Sequence, residues 1–154
     1  MDSWDNRAFP LEELMPLIRE SLGPGQSVRC SPRGTSMLPM LRQGLDAVTL
    51  SPLPERKLKK YELPMYQREN GQYVVHRIIK AGETYTCMGD NQFQKEPGLS
   101  HEQMVALVTG FTRDGVEHSV EERSHRFYCR FWHYSRPIRF LWRHFLWHAR
   151  RIFK

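Results

Sequence analysis

The chain has 154 residues, 40% of them hydrophobic, which suits one domain with a modest core, and a two-domain enzyme is not expected. Its charge of +6 is uneven, because residues 123–154 hold nine Lys/Arg and no acid; a tail of +9 leaves −3 for the rest, so the basic character describes an appendage and not the domain. Three cysteines, Cys30, Cys87 and Cys129, make neither an even disulfide framework nor a Cys-x-x-Cys metal pair, and no run approaches the roughly eighteen apolar residues of a membrane-spanning helix.

The first predicted element is helical. Leu11, Leu14, Ile18 and Leu22 recur at helical spacing, Glu12 and Glu13 stand in the first turn, and Gly23-Pro24-Gly25 supplies the stop. An amphipathic helix bent at Pro16 and packed on the domain is expected. The segment from Met1 to Arg19 carries acidic residues and lacks the apolar run of a signal peptide.

From Val28 to Val120 strands dominate: Asp46 to Leu50, Tyr61 to Gln67, Gln72 to Lys80, Thr84 to Met88 and Met104 to Thr112, separated by Gly, Pro and Asn turns. The run Arg56-Lys57-Leu58-Lys59-Lys60 reads as a solvated loop. Such a series of hairpins predicts a mainly β, β-rich α+β fold with a coiled antiparallel sheet, partly barrel-like. The expected organisation is a helical segment over 1–23, a β domain over 24–120 and a tail over 121–154.

Three strings in the β region carry chemistry. In Gly34-Thr35-Ser36-Met37-Leu38-Pro39, Gly34 permits a sharp turn and Pro39 fixes the φ of the segment leaving it, so Ser36 can project into a cleft; the alternative is an ordinary turn whose serine bonds its own backbone. In Tyr73-Val74-Val75-His76-Arg77-Ile78, strand alternation sets Val74, His76 and Ile78 on one face and turns Arg77 to the other. A serine hydroxyl is a poor nucleophile until a base takes its proton, and an imidazole with pKa near 6.5 suits that task. The third string, Met88-Gly89-Asp90-Asn91, is followed by Glu96; Asp90 is either a turn residue or a group that orients the imidazole.

These strings resemble the clan of type I signal peptidases and LexA-like self-cleaving repressors over roughly Val28 to Gly110. In that clan a Gly/Ser-x-Ser-Met-x-Pro turn carries the nucleophile and a later strand carries the base before an Arg, matching Ser36 and His76-Arg77. Histidine in a Val-His-Arg context, with a following Gly-Asp-Asn, is similar to the Ser/His branch found in the endoplasmic reticulum and archaea. The resemblance places an orienting carboxylate a few residues beyond Gly-Asp-Asn, at Glu96, where relatives usually have Asp; Asp90 is the competing candidate. It implies a serine endopeptidase that needs no cofactor and cuts a leader or signal peptide with small side chains before the scissile bond. Many relatives carry a Ser two residues before the nucleophile whose hydroxyl joins the oxyanion hole; Gly34 lacks it, leaving the Ser36 backbone N–H.

The tail closes the sequence. After Pro137, Ile138, Leu141, Trp142, Phe145, Ala149 and Ile152 follow a helical stripe, with Arg139, Arg143 and Arg150 on another side. A basic, Trp-rich amphipathic helix suits an anionic membrane surface, and the competing expectation is a helix packed on the domain. No nucleic-acid motif accompanies the basic residues, and His125, His133, His144 and His148 show no regular ligand spacing, so neither a nucleic-acid partner nor a metal is expected. The sequence therefore predicts a cytoplasmic, peripherally membrane-associated peptidase without a transmembrane helix; the rival reading is a catalytically inactive module of the same fold that binds a membrane or a partner.

Overall fold

The computed structural model describes residues 11–152; the part of the acidic, signal-peptide-free segment expected over Met1 to Pro10 lies outside the described residues. The chain opens with helix α1 (Leu11–Ser21), whose Met15 and Ile18 are buried and whose Leu11 and Leu14 pack against the same core. One antiparallel sheet of six strands follows: β1 (Val28–Cys30), β2 (Ala47–Ser51), β3 (Pro64–Gln67), β4 (Tyr73–Val75), β8 (Met104–Arg113) and β9 (Val116–Ser119). A second sheet has three: β5 (Arg77–Ala81), β6 (Tyr85–Met88) and β7 (Glu96–Leu99). Two helices close the chain, α2 (Arg123–Tyr134) and α3 (Arg136–Ile152).

The long strand β8 organises the first sheet, lying between β2 and β3 and forming a hairpin with β9 through Asp114-Gly115. Both turn residues have positive φ, 51° and 79°, the two-residue geometry whose twist matches the strands. Register shifts at Thr49/Leu50 and Met65/Tyr66 add local bending. Strands β3 and β8 are covered on both faces. Met65, Ala106 and Val108 enter a core shared with α1 and with Met37, Met40 and Leu41, whereas Tyr66, Met104 and Leu107 enter a second core with Ile78, Tyr85 and Leu99 of the smaller sheet. Burial on both sides explains why Met104-Val105-Ala106-Leu107-Val108 reads as a continuous apolar run.

The fold is thus a β-rich α+β arrangement of antiparallel sheets and three helices, and among the described residues no ladder closes into a barrel. The segment expected as one strand from Gln72 to Lys80 is divided at His76, where the chain leaves the first sheet and enters the second. The side-chain alternation survives that crossing: Val74 and Ile78 join the second core, Val75 the first. Strand β3 starts at Pro64, later than expected, because Tyr61 has a φ of 76° and interrupts extended backbone.

Three strands were not expected, β1, β7 and β9. Strand β7 reads Glu-Pro-Gly-Leu, a composition poor in strand formers; it is tolerated because β7 is the edge of its sheet, where a proline's missing N–H costs no ladder bond. The helical ends also belong to the cores they flank. Helix α1 shares the first core, and α2 buries His125 and Cys129.

Candidate active site

The turn carrying Ser36 is held from three directions. The Gly34 N–H donates to Gln43 Oε1 at 2.8 Å and its φ of 96° makes the glycine necessary there. On the other side, Met37, Met40 and Leu41 anchor the turn in the first core. From above, Asn91 donates its backbone N–H to the Ser36 carbonyl at 2.8 Å and its side-chain amide to the Thr35 carbonyl at 3.1 Å. Gly89 permits that approach, since a Cβ on it would stand 2.6 Å from the Ser36 carbonyl oxygen.

His76 sits at the joint between the two sheets and is 2% exposed. Its Nε2 lies 3.1 Å from Ser36 Oγ, and its Nδ1 lies 3.1 Å from Glu96 Oε1 and 3.2 Å from the Tyr66 hydroxyl. With the proton on Nδ1 directed at Glu96, Nε2 is left as an acceptor for the serine hydroxyl. Burial lowers the His76 pKa below its ordinary value, with the Glu96 charge opposing and Arg68 adding to the depression, so the ring is neutral at pH 7.

Glu96 reaches the imidazole from edge strand β7. Burial disfavours its charge, but hydrogen bonds from Arg68 and Tyr66 outweigh that and hold the carboxyl below its usual pKa. The Arg68 guanidinium, on the β3–β4 hairpin, donates through Nε to Glu96 Oε2 at 2.9 Å. The Tyr66 phenol is pushed upward, chiefly by burial, and stays protonated as a donor.

Asp90, the other carboxylate the sequence offers, is fully buried and faces elsewhere. Its oxygens accept two hydrogen bonds from the buried Arg77, from Nε and Nη2, each at 2.8 Å, and a third from the Tyr128 hydroxyl at 2.9 Å. Its backbone carbonyl accepts from Trp132 Nε1 at 2.7 Å. Helix α2 is therefore fastened to the segment whose next residue, Asn91, supports the Ser36 turn. Arg77 points away from His76, as alternation requires, into contact with Met40 Sδ and Cys129 Sγ.

Sequence reasoning brought Ser36, His76 and Glu96 forward and did not find Tyr66, Arg68, Tyr128 or Trp132. One signal existed for Asp90: an arginine on an apolar strand demands a buried partner, and the nearest acid beyond the following strand is Asp90. Arg68 left no such mark, because a basic residue in a hairpin turn has the composition of any solvated loop.

A cleft of about 580 Å³ opens over the pair. Its lining includes Ser36, His76, Met37, Leu41 and the whole of β4, the terminal strand of the larger sheet, together with Leu11 and Glu12 of α1 and Arg33, Arg68 and Arg143. Among the described residues no group of three or more His, Cys, Asp or Glu side chains is placed to hold a metal ion. No protein-family model matches this chain, and no curated protein matches it in sequence.

Proposed function

We propose that the protein is a serine endopeptidase of signal-peptidase-like type, with Ser36 as nucleophile, His76 as general base and acid, and Glu96 as the group that orients His76. The observation carrying this reading is the continuous chain of contacts from Ser36 Oγ through both imidazole nitrogens to Glu96, each at 3.1 Å. In it, Ser36 Oγ adds to a peptide carbonyl as Nε2 removes the hydroxyl proton; the tetrahedral anion collapses, the C–N bond breaks and the imidazolium protonates the departing amine. Water, deprotonated in turn by His76, releases the acyl group and restores the serine. Glu96 stabilises the imidazolium formed in each half-reaction. Asp90 has the position of a structural partner for Arg77.

An extended peptide suits the cleft because β4 ends its sheet; its Tyr73 N–H already donates to Glu12 Oε1 at 3.4 Å, so strand addition would use the rest of the strand. The substrate class, a leader or signal peptide, follows from the resemblance in the Ser36, His76 and Gly89-Asp90-Asn91 strings. No described helix is long and apolar enough to cross a membrane; peripheral association through the basic tail is the arrangement that would bring such substrates within reach.

The test is a diverse peptide library incubated with the parent protein, Ser36→Ala and His76→Ala, with new termini mapped by mass spectrometry. Cuts made by the parent and reduced by about a thousandfold or more in both variants are expected. Equal peptide patterns in all three samples would leave the fold as a binding module, a reading that the absence of a hydroxyl at Gly34 favours.

A further inference from the structure

Helix α3 is attached to the domain by the wrong side for an ordinary surface helix. Arg139 donates to the Trp132 carbonyl at 2.6 Å and lies 3.8 Å over its ring, Phe140 meets Phe93 edge-on at 5.3 Å, and Arg143 stands 5.5 Å over Phe93. The opposite face carries Ile138, Leu141, Trp142 and Phe145, at the i, i+3, i+4, i+7 spacing of one stripe, and these are between 62% and 71% exposed. A surface helix normally buries that stripe and solvates its arginines. Here Arg139, Phe140 and Arg143 meet the body of the protein and the apolar stripe faces outward.

We propose that α3 docks on an anionic bilayer, seating Ile138, Leu141, Trp142 and Phe145 at the boundary between acyl chains and headgroups and placing the Ser36 cleft at the lipid surface. Charge selects this occupant: residues 123–154, the segment that presents the stripe, contain nine Lys/Arg and no acid, Arg123, Arg126 and Arg130 of α2 and Arg150 and Arg151 of α3 are exposed, and each basic residue near an anionic leaflet favours binding. Exposed Phe127, Phe131 and Tyr134 on α2 add aromatic surface in the same basic segment. Docking brings the cleft near the membrane, because Arg143, on the body-facing side of α3, lines it, and Phe93, the residue that α3 grips, lies two positions from Asn91. The substrate class this assigns, a peptide lying on or emerging from an anionic membrane, rests on the peptidase reading; the docking itself does not.

The decisive measurement is cosedimentation of the full-length Ser36→Ala protein with vesicles of phosphatidylglycerol and phosphatidylcholine, or of phosphatidylcholine alone. Binding to the anionic vesicles, weaker binding to the neutral ones, and a loss of at least about tenfold in a Leu141→Gln/Phe145→Gln variant with unchanged thermal unfolding are expected. No binding to anionic vesicles, or binding indifferent to the double substitution, overturns the proposal. Self-association that the double substitution abolishes, without vesicle binding, assigns the stripe to a second copy and also overturns it. A second arm uses a peptide from the library that the active protein cuts, free or carrying an acyl chain, in the presence of vesicles; the acylated form should be cut at least about tenfold faster, an advantage the double variant loses. Vesicle binding without peptide cleavage refutes the peptidase and leaves the docking; Ser36-dependent cleavage without vesicle binding does the reverse.

Discussion

At the scale of single residues, the two carboxylates of the site have separable consequences. Glu96→Gln keeps the size of the side chain but removes the charge proposed to stabilise a His76 imidazolium and turns an amide donor toward Arg68 or His76; Arg68 and Glu96 are partly solvated, so little stability is at stake. The expected outcome is a kcat lower by roughly a hundredfold or more with the thermal midpoint nearly unchanged. Asp90→Ala instead strands the buried Arg77 guanidinium without its partner, a loss of about 3–5 kcal/mol seen in denaturant unfolding. If the two variants exchanged these effects, their assigned roles would be reversed. The depressed His76 pKa sets the pH profile. In the proposed mechanism the base works when neutral, so kcat/KM should rise with pH through a midpoint below 6.5 and be near its plateau at pH 7. A limb assigned to His76 with its midpoint above 7 would contradict this geometry.

At the scale of elements, the basic tail is two helices with different duties. Helix α2 is part of the folded body: Cys129 and His125 are buried, and Tyr128 and Trp132 tie Asp90 in place. Helix α3 touches the body along one side and exposes the other. A chain ending at residue 135 should therefore retain cooperative unfolding close to that of the full protein, whereas one ending at residue 120 should lose it, because the Arg77–Asp90 pair is left without its cover. Circular dichroism melts of the two truncations check this. Similar melts would mean that α2 contributes little to the core.

At the scale of the whole molecule, two buried histidines make stability depend on pH. Burial, reinforced by the Arg77 charge, lowers the His125 pKa to about 4, and His76 is lowered as well, against about 6.5 in an unfolded chain. Between those values the unfolded chain binds more protons than the folded one, so stability rises with pH across the window and is lost as pH falls from about 6.5 toward 4. The thermal midpoint should be lower at pH 5 than at pH 7, with a smaller difference in His125→Asn. A midpoint that does not change between the two pH values would show that these rings are not held neutral.

Local pattern was enough to make the Ser36 turn, the strand around His76, helix α1 and the apolar stripe of α3 legible in the sequence, because glycine and proline geometry, β-branched runs and helical periodicity act over a few residues. Glu96 was nominated by the resemblance, which implies a carboxylate a few residues beyond Gly89-Asp90-Asn91. What local pattern could not decide was which of two acids faces the imidazole, since that depends on β7 closing the edge of a sheet despite its Pro-Gly composition. Nor could it separate α2 from α3: both are basic and aromatic, and the tertiary contacts bury His125 and Cys129 of α2 and tie its Tyr128 and Trp132 to Asp90, while the apolar stripe of α3 is left in solvent. Side-chain chemistry within an element follows from neighbours in sequence, whereas the partner of a buried charge and the orientation of a helix are set by residues far apart in the chain.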